Sequence, residues 1–340
     1  MKKRRAFITG VTGQDGSYLA EYLAKNNYEV WGLVRYSSLD HLARIRPLVE
    51  SKKLKLVRGN LTDGYSLRLA LEEAKPDEIY NLAALSDVSF SQRAPSEAME
   101  VNYFGLARLI EEALKVNPKI RIFQASSSEI LKKTKPPQSE KSPRGAGNPY
   151  AEAKLKAHED FVEGYRKHRG LFIAAGIMFN HESPRRGENF VTRKVTISLA
   201  RIKLGLIESF SLGNLDAKRD WGFAGDYVRG MHLMLQAKKP EDYVLATGKT
   251  HSIRDLVETA CREFGIPIEW KGKGLKEVGV SNGKTIITID KTFYRPNEPY
   301  EMRGDITKAK RKLGWKPEVS FQELVAMIAR SDFDLLQKSR

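Results

Sequence analysis

Four residues in this chain have the types and spacing of a proton relay: Ser127, Glu129, Tyr150 and Lys154. A tyrosine is a weak base, because the free phenol loses its proton only near a pKa of about 10. A lysine one helical turn further on places an ammonium beside the phenol oxygen and favours phenolate. Tyr150 and Lys154 have that spacing, on a helix that Asn148-Pro149 would open. Ser127, within the run Ser126-Ser127-Ser128, can hydrogen-bond the reacting oxygen. Such a set takes the proton from an alcohol while a hydride leaves its carbon. Glu129 adds a carboxylate that can remove a proton next to the new ketone. Alone, Tyr-x-x-x-Lys arises by chance in many helices, and Glu129 could simply cap the segment after it.

The surrounding elements place these residues together. The apolar run Ala6-Phe7-Ile8-Thr9 leads into Gly10-Val11-Thr12-Gly13-Gln14-Asp15-Gly16. Tyr18, Leu19, Tyr22 and Leu23 then follow at helical spacing. A strand, a glycine turn and a helix start aim free N–H groups and the helix dipole at one point, where an anion binds. Gly10 permits the turn, Gly13 the approach of a pyrophosphate, and Gly16 the packing of helix on strand. A plain tight connection would read much the same. Further strands are expected at Val30–Val34, Leu54–Arg58, Glu78–Ala84, Ile120–Ala125 and Leu171–Met178. Helices are expected over Ser66–Ala74 and Ser96–Lys115. Alternation of this kind implies a parallel sheet with helices on both faces and ligands at the carboxyl ends of its strands. Gly59-Asn60-Leu61 and Ala83-Ala84 lie at such ends, the latter small enough for a flat cofactor. Arg35 closes the second strand where an acid would hold the ribose hydroxyls of NAD. A guanidinium there suits the 2′-phosphate of NADP, although a solvated arginine at a strand end is also common.

With these residues the chain resembles the extended short-chain dehydrogenase/reductase family, and within it the GDP-mannose 4,6-dehydratases. The resemblance runs from about Ala6 to Leu335. It rests on Gly10–Leu19, Gln124–Glu129, Phe179–Gly187, Phe190–Lys194, Leu212–Gly222, Pro240–Tyr243, Arg295–Glu298 and Leu313–Pro317. It implies an α/β fold: a Rossmann-type doubly wound parallel sheet with a smaller, interleaved substrate-binding lobe. It implies Ser127 in place of a catalytic threonine, Glu129 as general base, and Tyr150 and Lys154 as the remaining catalytic pair. NADP would be held by Gly10, Gly13, Gln14, Asp15, Gly16, Arg35, Asn60, Leu61, Ala83, Ala84, Tyr150 and Lys154. GDP-mannose would meet Asn180, Glu182, Lys194, Arg219, Arg295 and Glu298, the two arginines gripping the diphosphate by bidentate donation. The chain departs from the family's pattern at Leu85, Asp87, Leu131-Lys132 and Asn60, the last replacing an acid near the adenine. It also departs at Arg35-Tyr36, where the family has two arginines before the loop that joins its tetramers. A homo-oligomer, dimer or tetramer, is expected.

On this reading residues 1–180 form the NADP-binding unit, rejoined by a strand near 243–247. Residues 181–222 and 249–315 form the substrate lobe, with a helix over Arg193–Gly205, and 320–338 a closing helix. The 340 residues carry a net charge of +16. That charge is scattered over Lys2–Arg5, Lys52-Lys53, Lys132-Lys133 with Lys135, and Lys308–Lys312. No nucleic-acid-binding motif accompanies it, so no nucleic-acid partner is expected. Arg185 and Arg186 are the better candidates for local electrostatic roles. Abundant Lys and Glu would suit a heat-stable protein. One cysteine, Cys261, allows no internal disulfide, and no Cys/His cluster suggests zinc. No apolar stretch is long enough for a membrane span, and a cytoplasmic enzyme without metal is expected. His158 reads as a surface or packing residue rather than a catalytic one. A related nucleotide-sugar epimerase or reductase would share the cofactor and the Tyr–Lys pair but would not need Glu129. A non-catalytic binding protein would need none of the set.

Overall fold

The computed structural model describes residues 3–132, 134–293 and 301–338. Seven parallel strands form the central sheet: β1 (Arg5–Thr9), β2 (Glu29–Val34), β3 (Leu54–Arg58), β4 (Glu78–Asn81), β5 (Arg121–Ser127), β6 (Phe172–Met178) and β7 (Asp242–Leu245). Their order is β7-β6-β5-β4-β1-β2-β3. The chain therefore builds outward from β1 in one direction and then returns to build in the other. The crevice between β1 and β4 is the switch point at which such sheets bind ligands.

Burial on both faces explains why the strands read as nearly continuous apolar runs. Successive residues point to opposite sides. Ala6 and Ile8 join one apolar cluster and Phe7 the other. Tyr80, Phe123 and Ala174 share the first cluster, and Ile79, Ile122 and Ile173 the second. Helices α1 (Gln14–Lys25), α2 (Gly64–Ala74), α3 (Gly105–Val116) and α4 (Pro149–Ala157) connect these strands. A third apolar cluster lies away from the sheet. It unites α5 (Val191–Lys203), α6 (Ile253–Phe264), α7 (Phe321–Lys338) and a four-stranded sheet, around Leu199, Trp221, Leu256, Ile287 and Phe321.

The helix expected over Ser96–Lys115 is not continuous. Pro95–Met99 is α-helical, Glu100–Phe104 is a wider π turn, and α3 follows. The extra residue turns Asn102 inward, where its Oδ1 accepts from the Leu85 N–H at 2.9 Å and its Nδ2 donates to the Leu85 carbonyl at 3.1 Å. Bulges of this kind often serve a site. This one fixes the chain just beyond Ala83-Ala84. A second π turn, His158–Glu163, follows α4 directly. It buries His158 to 1% exposure, with Nε2 3.3 Å from the Asp242 carboxylate. His158, Glu163 and Asp242 bring three potential ligand atoms within 4.8 Å. Arg144 and Arg166 already compensate the two carboxylates at 2.7 Å each, so the group is a closed ion cluster. Among the described residues no helix is long and apolar enough to cross a membrane.

Candidate active site

A cleft of about 1260 Å³ opens at the carboxyl ends of the strands. Its walls include the turn after β1, the ends of β2 and β3, Ala83 and Ala84 after β4, the serine run at the end of β5, and Tyr150 and Lys154 of α4. Two loops interlock at the switch point. Gly10 has φ +68°, and a Cβ there would stand 2.7 Å from the Ala83 nitrogen. A Cβ on Gly16 would lie 2.3 Å from the Gly10 carbonyl oxygen. Both glycines are demanded by space. Gly13 begins α1 without any side-chain cap, so the first N–H groups of the helix face the cleft uncommitted.

Ser127 is the last residue of β5 and Glu129 lies in the short turn Ser128–Ile130. The Glu129 N–H donates to Ser127 Oγ at 3.2 Å, which fixes where the carboxylate emerges. Asn148 holds it from the other side: its Nδ2 donates to Glu129 Oε2 at 3.3 Å, while its Oδ1 caps α4 by accepting from the Ala151 N–H at 2.8 Å. One side chain thus sets both the start of the Tyr150 helix and the carboxylate opposite. Ser127 and Tyr150 line the same wall of the cleft. Burial lifts the Tyr150 phenol above its ordinary value, against the lowering effects of Ser127 and Arg186 and with the Glu129 and Asp15 charges adding to the rise. The expected stabilisation of phenolate by Lys154 is therefore not what this arrangement shows. Lys154 Nζ lies 6.0 Å from the centre of the Tyr150 ring and donates to the Ala125 carbonyl at 2.9 Å. Burial brings its ammonium down to about 8, because one carbonyl and a ring face replace its water shell.

Gln14 and Asp15 line the cleft, but their side chains reach across to the segment after β6. Gln14 Nε2 donates to the His181 carbonyl at 3.1 Å, and Ser183 Oγ donates to Gln14 Oε1 at 2.9 Å. Asp15 Oδ2 lies 2.8 Å from His181 Nε2. Burial opposes both ionised forms, yet the pairing wins, lowering Asp15 and raising His181. Tyr227 stacks under the imidazole at 4.6 Å. His181 is not singled out by the sequence reading, and Asn148 is read there only as the opening of the Tyr150 helix. Asn180, Leu85 and Arg186 line the cleft as well.

Glu182 does not contact the cleft. It is 2% exposed, accepts from Thr192 Oγ1 at 2.5 Å and pairs with Arg186 at 3.3 Å. It is a buttress that orients Arg186, because a carboxylate this deeply buried needs donors of its own. Asp87 caps the helix Val88–Arg93 and accepts from Asn189 Nδ2 at 3.0 Å. Lys194 stands on α5, over the Phe293 ring at 3.8 Å. Arg219 lies in the short strand Lys218–Arg219, paired with His251–Ser252. Both belong to the second layer of structure and are not among the residues walling the cleft. Arg295 and Glu298 lie outside the described residues.

Residues 7–328 match the family described as GDP-mannose 4,6 dehydratase. The chain belongs to that family. A human GDP-mannose 4,6 dehydratase is 47% identical over 343 residues, covering 98% of this chain and 92% of its own. An Arabidopsis thaliana GDP-mannose 4,6 dehydratase is 44% identical, covering 99% and 89%. A Vibrio cholerae GDP-mannose 4,6-dehydratase is 42% identical, covering 99% and 95%. The fold is that of solved structures at lower identity. RMD from Pseudomonas aeruginosa, complexed with NADPH, superposes with a TM-score of 0.79 at 22% identity over 98% of this chain and 100% of that one. A dTDP-glucose 4,6-dehydratase from Bacillus anthracis gives 0.79 at 18% identity over 98% of each chain. The GDP-mannose 4,6-dehydratase family membership accounts for the combination of a dinucleotide cleft with a carboxylate beside the Ser–Tyr–Lys set.

Proposed function

We propose that this chain converts GDP-mannose to GDP-4-keto-6-deoxymannose with loss of one water, as an NADP-dependent hydro-lyase. The observation that carries the reading is that Glu129 shares a cleft wall with Ser127, Tyr150 and Lys154 and is tied to Ser127 through its own N–H. An epimerase or reductase has no use for a base there. The cleft suits NADP: the α1 start offers free N–H donors, Gly10 and Gly16 leave no room for side chains, and Ser126 Oγ, in the wall, is buried without a partner among the described residues. Gly10, Gly13 and Gly16 would hold the diphosphate, Ala83 and Ala84 the flat rings, Lys154 the nicotinamide ribose, and Arg35 the 2′-phosphate.

When bound, NADP would supply the hydride acceptor for C4 of the sugar and the hydride donor for C6. The residues of the chain move the protons. Tyr150 takes the O4 proton, with Ser127 aligning the same oxygen. The ketone formed at C4 acidifies the C5 proton, and Glu129 removes it. The proton passes to the departing C6 hydroxyl, which leaves as water. Tyr150 and Ser127 hold O4 throughout; as hydride reaches C6, Glu129 delivers a solvent proton to C5, and Tyr150 gives the proton it took to solvent. Removing a general acid–base group costs on the order of a hundredfold to ten-thousandfold. The reading also takes Asn180, Lys194, Arg219, Arg295 and Glu298 as contacts to the GDP-sugar, and a homo-oligomer as the working form.

The test is incubation with GDP-mannose followed by mass analysis of the sugar nucleotide. Loss of 18 mass units (one water) without net consumption of NADP is expected. An isomer of unchanged mass would overturn the reading in favour of an epimerase.

A further inference from the structure

The cofactor end of the cleft carries a second arginine that the reading so far leaves without work. Arg58 is the last residue of β3, and Arg35 follows the last residue of β2. The two strands are neighbours, with Val34 in register with Arg58, and the Gly59 N–H donates to the Val34 carbonyl at 3.1 Å. Adjacent parallel strands run about 4.8 Å apart, so the two arginines stand at adjoining strand ends, one position out of register. Both side chains are exposed, and both line the same cleft. Neither guanidinium has a hydrogen bond or ion pair with any described residue. Most other arginines of this part of the chain are committed. Arg44 donates to the carbonyls of Thr12 and Arg185, Arg46 pairs with Asp40, and Arg68 pairs with Glu112. Two exposed cations lining one cleft make its potential positive there, which favours an anionic ligand.

The neighbours fit such a ligand. Tyr36, directly after Arg35, lies under Arg58 with the guanidinium 5.3 Å from its ring centre. That stack holds the fork in one plane while leaving its N–H edge free. Asn60, two residues beyond Arg58 and also in the wall, is neutral, its Oδ1 committed to the Thr62 N–H at 3.3 Å. No carboxylate there competes for the guanidinium groups.

We infer that Arg58, braced by Tyr36, is a second specificity-determining contact that grips the adenosine 2′-phosphate together with Arg35. The inference rests on the NADP reading. A dianion between two guanidinium forks takes charge-assisted bonds from both strands, whereas the ribose hydroxyls of NAD would leave the two cations unpaired. Discrimination is then divided between two residues.

The experiment measures dissociation constants for NADP⁺ and NAD⁺ on the full-length enzyme, freed of bound nucleotide, for wild type, Arg58→Gln, Arg35→Gln, the double variant and Tyr36→Leu. Arg58→Gln should weaken NADP⁺ by about tenfold or more, the loss of one charge-assisted contact, and leave NAD⁺ nearly unchanged. Tyr36→Leu should weaken NADP⁺ in the same selective way but less. The double variant should bind both nucleotides alike. Unchanged NADP⁺ binding in Arg58→Gln would overturn the inference and mark Arg58 as a solvated strand end. Equal weakening of NADP⁺ and NAD⁺ would also overturn it, since the contact would then not be to the 2′-phosphate. An effect of Arg58→Gln with none from Arg35→Gln would uphold Arg58 and remove Arg35 from the NADP reading. Stronger binding of NAD⁺ than NADP⁺ by the wild type would overturn the NADP reading itself.

Discussion

Lys154 is a buried ammonium with one carbonyl and one ring for company, and its replacement should separate catalysis from stability. Its ordinary value of 10.5 falls to about 8 in the fold. Below pH 8 both folded and unfolded chains carry the proton, and the cost of burial is full. Between 8 and 10.5 the unfolded chain binds more protons, so stability rises with pH. The shift corresponds to on the order of 3 kcal/mol. Lys154→Met should therefore abolish most activity yet raise the melting temperature of the cofactor-free protein at pH 7, and the gain should shrink by pH 10. A lower melting temperature at pH 7 would contradict the burial argument. Glu129→Gln makes the sharpest chemical test. Deuterium exchange at C5 from labelled solvent and water loss should both collapse. Normal elimination in that variant would place the base elsewhere. Tyr150→Phe should lower turnover by on the order of a hundredfold or more while GDP-sugar binding persists. At this scale the sequence made the four proposed relay residues readable, because each is defined by type and spacing. The buried setting of Glu182 was not readable, because position in a motif says nothing of which way a side chain points.

Elements explain what spacing could not. Asn148 caps α4 and holds Glu129 through opposite ends of one amide. Loss of an N-cap costs about 1 kcal/mol, so Asn148→Ala should lower stability by that order. It should lower turnover more than substrate affinity, because the carboxylate loses its brace. Asn148→Asp should restore the cap and the melting temperature but not turnover, since two carboxylates would then face each other. Steady-state kinetics beside thermal unfolding separates the two effects. The strands were legible because a parallel sheet buried on both faces must be written in apolar runs. The seventh, expected near 243–247, stands at Asp242–Leu245, within the ordinary uncertainty of element ends. The π turns were invisible. One extra residue in a helix alters the apolar period too little to read, and only the contacts of Asn102 and His158 reveal it.

Across the whole molecule, the charge of +16 is scattered along the chain, while the ion cluster around Asp242 lies inside. Asp220 shows what joins the layers. Its buried carboxylate accepts from the Thr247 and Gly248 N–H groups at 2.7 and 2.9 Å, and from the Gly304 N–H at 3.1 Å. These donors come from two separated stretches of chain, 247–248 and 304, so three stretches meet at Asp220. Asp220→Ala would leave them unpaired, at about 1–3 kcal/mol each, and thermal unfolding should register the loss as a lowered midpoint. This junction was not legible, since nothing local marks a residue whose partners are 27 and 84 positions away.

His158 stands four residues beyond Lys154 and eight beyond Tyr150, on one line along the helix, and it is tied to Asp242 of the last strand to join the sheet. During synthesis Tyr150 and Lys154 leave the ribosome long before that anchor exists. Their helix must wait, unfastened at its far end, through the emergence of 84 further residues. Contacts of such separation close late in folding. Pulse-labelled hydrogen exchange during refolding should accordingly find the amides of β1 to β5 protected first, and those around His158 protected only when β7 docks. Catalytic competence is then a late acquisition of the nascent chain, reached well after its cofactor-binding turn has formed.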